Sequence, residues 1–91
     1  MKTVFTAEAK TQLQAIVAYL ETEWLVRVRN RFLQQLRQSV KTMEQYPMAY
    51  PASEKFFEAR RCVVSSQVSL FYRIESDPII ILTLMDNRQD F

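Results

Sequence analysis

Val68-Ser69-Leu70-Phe71-Tyr72-Arg73-Ile74-Glu75 is the stretch on which the architecture turns. Val68, Leu70, Tyr72 and Ile74 alternate with Ser69, Phe71, Arg73 and Glu75, the period-two pattern of a strand with one buried face. Ser65-Ser66-Gln67 precedes it and Ser76-Asp77-Pro78 follows it, and both are turn-forming groups. They separate it from two further β-prone runs, residues 56–64 and 79–85. Connections this short join antiparallel neighbours, so the C-terminal half predicts a three-stranded meander. Ile79-Ile80-Ile81-Leu82 is apolar on both faces, as a central or doubly covered strand requires.

Upstream of the meander the period changes. Ala9, Leu13, Ile16, Val17, Leu20 and Trp24 follow the spacing of one helix face, and Val28, Phe32, Leu33, Leu36, Val40 and Met43 form a second such stripe. Thr6 is placed to cap the first helix, with Glu8 in its first turn, where negative charge favours the helix dipole. Tyr46-Pro47 closes the second helix, because proline disfavours helical backbone at the residue before it. One unbroken helix over residues 7–45 would be about 60 Å long, roughly twice the span of a domain this size. A reversal is therefore required, and it falls near residues 23–26 although no Gly, Pro or Asn marks it. Residues 2–5, Lys-Thr-Val-Phe, form one more short β-prone run ahead of the first helix.

The expected fold is thus α+β in the order β-α-α-β-β-β, a helical hairpin packed on a small antiparallel sheet, with the helices covering the Leu70/Tyr72 face. Ninety-one residues close one core, so residues 1–91 are read as a single domain. Pro47 and Pro51 make the segment between helices and sheet an extended linker.

Composition excludes several classes of function. An apolar fraction of 48% with 24% charged residues is globular, and no apolar run approaches the roughly 18 residues of a spanning helix. A cytoplasmic protein without membrane contact is expected. Cys62 is the single cysteine and histidine is absent, so neither an internal disulfide nor a Cys/His zinc site can form, and no metal or cofactor is expected. Without histidine, acid–base chemistry would fall to carboxylates, Tyr, Lys or Arg. Net charge is only +2, yet Arg27, Arg29, Arg31, Arg37 and Lys41 stand in a stretch that holds no acidic residue. Such a stretch suits an acidic partner or a solvated helix face equally well.

Four motifs in this order carry a resemblance that covers essentially the whole chain. They are Phe5-Thr6-Ala7-Glu8-Ala9, then Phe32…Leu36…Tyr46-Pro47, then Arg60-Arg61-Cys62-Val63-Val64 with Leu70-Phe71-Tyr72-Arg73-Ile74, and last Ile81-Leu82-Thr83-Leu84-Met85-Asp86-Asn87-Arg88-Gln89-Asp90. The sequence resembles the RelE/ParE toxin superfamily and is closest in character to its ParE-like members. The resemblance implies a bacterial type II (plasmid-stabilising) toxin, neutralised by a cognate antitoxin and directed at DNA gyrase or at the ribosome and its mRNA. The alternatives it leaves open are a RelE-type ribosome-dependent endoribonuclease and an inactive antitoxin-binding member.

The resemblance also supplies candidate residues. Arg60, Arg61, Arg73 and Arg88 are the expected target-binding residues, and a nuclease would draw on Arg61, Arg88, Tyr72 and Asp86. RNA cleavage needs a base for the 2′-oxygen, an acid for the leaving oxygen and cations for the phosphorane charge. Ser69 stands where RelE-like enzymes carry an arginine, and no tyrosine or histidine follows Arg88 in the sequence. Arg60 and Arg61 are adjacent on a strand, so at most one of them lines any single site. Tyr72 and Trp24 lie on apolar stripes and are expected in the core, as is Cys62.

Overall fold

A computed structural model describes residues 1–87. Strand β1 (Thr3–Phe5) leads into α1 (Ala7–Glu23), α2 (Val26–Gln45) runs back along it, and β2 (Arg60–Val63), β3 (Val68–Ile74) and β4 (Ile79–Asp86) follow. The expected α+β arrangement and element order hold. One helix–sheet interface forms the core, with Ala9, Leu20, Phe32, Leu36 and Met43 from the hairpin meeting Leu70, Tyr72, Ile79, Ile81 and Leu84 from the sheet. Leu70, Ile79 and Ile81 are wholly buried, and each contributes roughly 2–3 kcal/mol through loss of apolar surface from water.

The meander pairs antiparallel as its short turns dictate. The sheet as a whole is mixed, because β1 lies parallel to β4 with Thr3 opposite Ile79 and Phe5 opposite Ile81. This corrects the expectation of an antiparallel sheet. The strand order β1-β4-β3-β2 makes β4 an inner strand, which accounts for its two apolar faces.

Register slips once between β3 and β4. Tyr72 pairs with Ile81 but Phe71 pairs with Thr83, so Leu82 is bulged out of the ladder and the faces of β4 exchange there. Ile79 and Ile81 face the helices before the bulge, Leu84 after it, and Thr83 is buried on the opposite side. Thr6 serves the bulged backbone: its amide donates to the Ile81 carbonyl (3.1 Å) and its hydroxyl to that of Leu82 (2.7 Å). The same hydroxyl accepts from the Ala9 amide (3.0 Å), the N-cap bond that starts α1.

The helical reversal uses two extended residues in place of a glycine. Trp24 (φ −131°, ψ −168°) ends α1 and Leu25 (φ −88°, ψ 152°) starts α2, and an Arg29–Glu21 ion pair of 2.5 Å spans the corner. Trp24 is 55% exposed, contrary to its expected place in the core, because it falls where the helix face has already turned away from the sheet. At the other end of α2, Glu44 accepts from the Thr3 hydroxyl (2.6 Å), tying the hairpin to the edge strand.

Strand β2 is shorter than the expected run over 56–64. Residues 56–59 fold instead as a turn, with the Ser53 hydroxyl accepting the amides of Lys55 and Phe56, and with Glu58 left-handed at φ 53°. Phe56 packs edge-on against Phe71 at 4.9 Å. That contact buries the face of β3 expected to be open, and Ser69 and Phe71 are as inaccessible as Leu70 and Tyr72.

Thr6→Ala removes an N-cap and a bond to the bulge together, so it should lower stability by about 1–2 kcal/mol. Thr6→Ser should recover most of that loss. Urea unfolding of the three proteins checks this, and an unchanged midpoint for the alanine variant would remove Thr6 from its assigned role.

Candidate functional site

Cross-strand pairing sets Arg61 opposite Phe71 on the sheet face away from the helices, with Ser69 two pairs further along on the same face. The Arg61 guanidinium donates through Nε to the Ser69 hydroxyl (3.1 Å) and through Nη2 to Asn87 Oδ1 (3.2 Å), and it lies 6.0 Å from the Phe71 ring centroid. The Ser69 hydroxyl also donates to Asn87 Oδ1. Asn87 is fixed in turn: its Nδ2 donates to the Ser65 and Ser66 carbonyls and its backbone amide to that of Gln67 (2.7 Å). One amide side chain thereby holds an arginine, a serine and the β2–β3 turn in a single cluster. Beside it a hollow of about 500 Å³ is lined by Arg61, Phe71, Lys55 and Glu54 among others.

Arg60 points to the helix side. Its Nη1 donates to the carbonyls of Tyr50 (2.5 Å) and Met48 (3.4 Å), and its Nη2 touches the Met48 sulfur. Arg73 shares the outer face with Arg61, but its Nη2 donates to the Phe57 carbonyl (3.0 Å) while its Nε is buried without a partner. Both side chains thus hold the connection over residues 46–59.

Tyr72 is inaccessible on the helix side, as expected, and donates its hydroxyl to the Pro47 carbonyl (2.6 Å). Burial pushes its pKa up to about 12, with the nearby Arg60 charge opposing. Tyr50 meets Tyr72 edge-on at 6.3 Å, and burial raises its pKa as well. Cys62 is fully buried, as expected, and burial likewise raises its pKa against hydrogen bonds from Ser39 and Tyr50. All three groups are held protonated, and none is poised as a base at neutral pH.

Asp86 also lies on the helix side, at the rim of a groove of about 540 Å³. Helical residues Ile16, Tyr19, Leu20, Trp24, Val28 and Phe32 line the groove, Arg31 and Gln35 give it polar points, and the turn over residues 65–68 closes its far side.

The structure therefore does not assemble Arg61, Tyr72 and Asp86 at one place: Arg61 is on the outer face and the other two are on the inner. Arg88 lies outside the described residues. Asn87 is the member of the cluster that the sequence did not suggest, since an asparagine after a strand reads as a turn residue. Among the described residues no group of carboxylates and cysteine could hold a metal ion, and no helix is long and apolar enough to cross a membrane.

Residues 3–91 match the family described as the ParE toxin of the type II toxin–antitoxin system parDE. The chain belongs to that family. Solved structures share its fold. A chain of the chromosomal ParDE toxin–antitoxin system of P. aeruginosa superposes with a TM-score of 0.76 at 19% identity, over 94% of this chain and 95% of its own. The YoeB/ParE toxin of Agrobacterium tumefaciens gives 0.71 at 12% identity, over 96% and 99%. YafQ of E. coli gives 0.66 at 7%, over 99% and 97%. No curated protein matches this ParE-family sequence significantly.

Two measurements follow from the geometry. The raised folded-state pKa of Tyr72 makes the neutral phenol the stabilising form, so its contribution is complete below pH 10 and is lost as pH rises from 10 through about 12. The stability gap between the wild type and Tyr72→Phe should narrow over that window in chemical denaturation. Asn87→Ala should lower stability by about 1–3 kcal/mol by orphaning its partners. It should also speed solvent exchange of the Arg61 Nε proton, read by NMR.

Proposed function

We propose that this ParE-family chain poisons DNA gyrase, through contacts made by the outer sheet face around Arg61 and Arg73 together with Arg88, and that a cognate antitoxin silences it by filling the groove of the hairpin. The separation of Arg61 from Tyr72 and Asp86 is the observation that carries the choice of target. A nuclease needs its base, acid and cation around one phosphate. Here the phenol is sealed in the core with its hydroxyl donated to Pro47, and the cation is on the opposite face. A toxin that acts by binding needs no such assembly.

The groove supports the antitoxin half of the reading. It is apolar along the hairpin and ends on the half-exposed Tyr19 and Trp24, the kind of surface that receives the apolar face of a partner segment. Arg31 on its wall favours a carboxylate on that segment, and Asp86 on the opposite rim favours a basic residue.

Induced expression should arrest growth and change plasmid topology while total mRNA stays intact, and co-expression of the neighbouring reading frame should restore growth. Arrest with cleaved mRNA would replace gyrase by the ribosome. Absence of arrest would leave an inactive binding member. Trp24 is exposed, so Trp24→Ala should keep the fold yet weaken antitoxin binding roughly tenfold, as loss of an interface aromatic does; titration calorimetry reads the change.

A further inference from the structure

The connection between α2 and β2, residues 46–59, puts three large apolar side chains into solvent: Tyr46 at 64% exposure, Met48 at 68% and Phe57 at 82%. A flexible connection would hide them. This one is held along its length instead. The Tyr72 hydroxyl fixes the Pro47 carbonyl, Arg60 fixes those of Met48 and Tyr50, and the Arg61 amide donates to the Pro51 carbonyl (2.9 Å). Ser53 and Ala59 close the turn through a 2.7 Å backbone bond, and Phe56 plugs it into the sheet against Phe71.

Phe57 itself is held outward at two energetic penalties. Glu58, directly after Phe57, is left-handed, a conformation disfavoured for a residue with a β-carbon, in a turn where Phe56 packs inward on Phe71 and Phe57 faces solvent. Arg73 buries its Nε without a partner in order to bond the Phe57 carbonyl. Strain and an unsatisfied donor concentrated beneath one exposed ring are the signature of a preorganised contact, since the ordering entropy of an aromatic anchor is then spent before binding.

We infer that Phe57 is the anchor by which the toxin engages its target protein, inserting into an apolar cup with a basic rim. This rests on the toxin reading above. Charge chooses the occupant: exposed Glu54, Lys55 and Glu58 surround Phe57 in the sequence and leave the turn with one net negative charge, which disfavours a polyphosphate and favours a protein surface bearing Lys or Arg. Position separates the target from the antitoxin, for no residue of 46–59 lines the groove of the hairpin.

The test compares wild type with Phe57→Ala in growth arrest on induction, in affinity for the protein encoded by the neighbouring reading frame, and in gel shift with duplex DNA and single-stranded RNA. Thermal unfolding should match, because the ring is exposed. The expected result is a loss of toxicity of about tenfold or more with antitoxin affinity unchanged, the size of effect seen for an anchoring aromatic. Equal arrest by the two proteins overturns the inference. So does a matching drop in antitoxin affinity, which would make Phe57 an antitoxin contact, or a Phe57-dependent gel shift, which would make the partner a nucleic acid. Failure of the wild type itself to arrest growth is a separate outcome, and it removes the toxin reading and the inference together.

Discussion

Strand β4 has to satisfy neighbours on both sides at once, and the rest of the fold follows from how it does so. Parallel pairing to β1 and antiparallel pairing to β3 place different demands on its backbone, and the Leu82 bulge reconciles them by shifting the side-chain phase half-way along the strand. The bulge displaces carbonyls that would otherwise be unpaired inside the protein. Thr6 answers them with its amide and hydroxyl, and the same hydroxyl starts α1. The direction of the first helix, and with it the hairpin and its groove, is thereby referred to one irregularity in the sheet.

The two faces of the sheet are put to different uses. The inner face carries the core and the protonated Tyr50, Tyr72 and Cys62, so its polar atoms are structural. The outer face carries Arg61 in a hydrogen-bonded setting built by Ser69 and Asn87. Ser69 stands where an arginine is expected in RelE-like relatives, and Arg61 from the neighbouring strand reaches the same spot. The family assignment and this division of labour are what the proposal of a toxin acting through its surfaces rests on.

Much of the fold was legible because it rests on local chemistry: the alternation at 68–75, the two helical stripes, Thr6 as a cap and Pro47 as a stop. What was not legible depends on residues far apart. Nothing in Lys2-Thr3-Val4-Phe5 tells it to lie parallel to β4, and a bulge at Leu82 is invisible inside an unbroken apolar run. The turn over 56–59 was read as strand because Phe56 and Phe57 are β-prone, whereas the Ser53 hydroxyl and the packing of Phe56 on Phe71 decide otherwise. Trp24 satisfied the helical period and still lies outside, since the period cannot say where a helix leaves its partner. Of the candidate residues, the opposed faces of Arg60 and Arg61 could be foreseen from strand geometry. Their partners could not, and neither could the part played by Asn87, because both are set by tertiary contacts.

The pairing of β1 with β4 has a temporal side. The amide and hydroxyl of Thr6 find their acceptors up to 76 residues later in the chain. A ribosome makes the first strand well before its partner, so the β1–β4 pairing waits until β4 has been made. Contacts of such long sequence separation also close slowly. For a chain of a toxin–antitoxin family this order leaves an interval in which a partner can meet the chain before its sheet has closed.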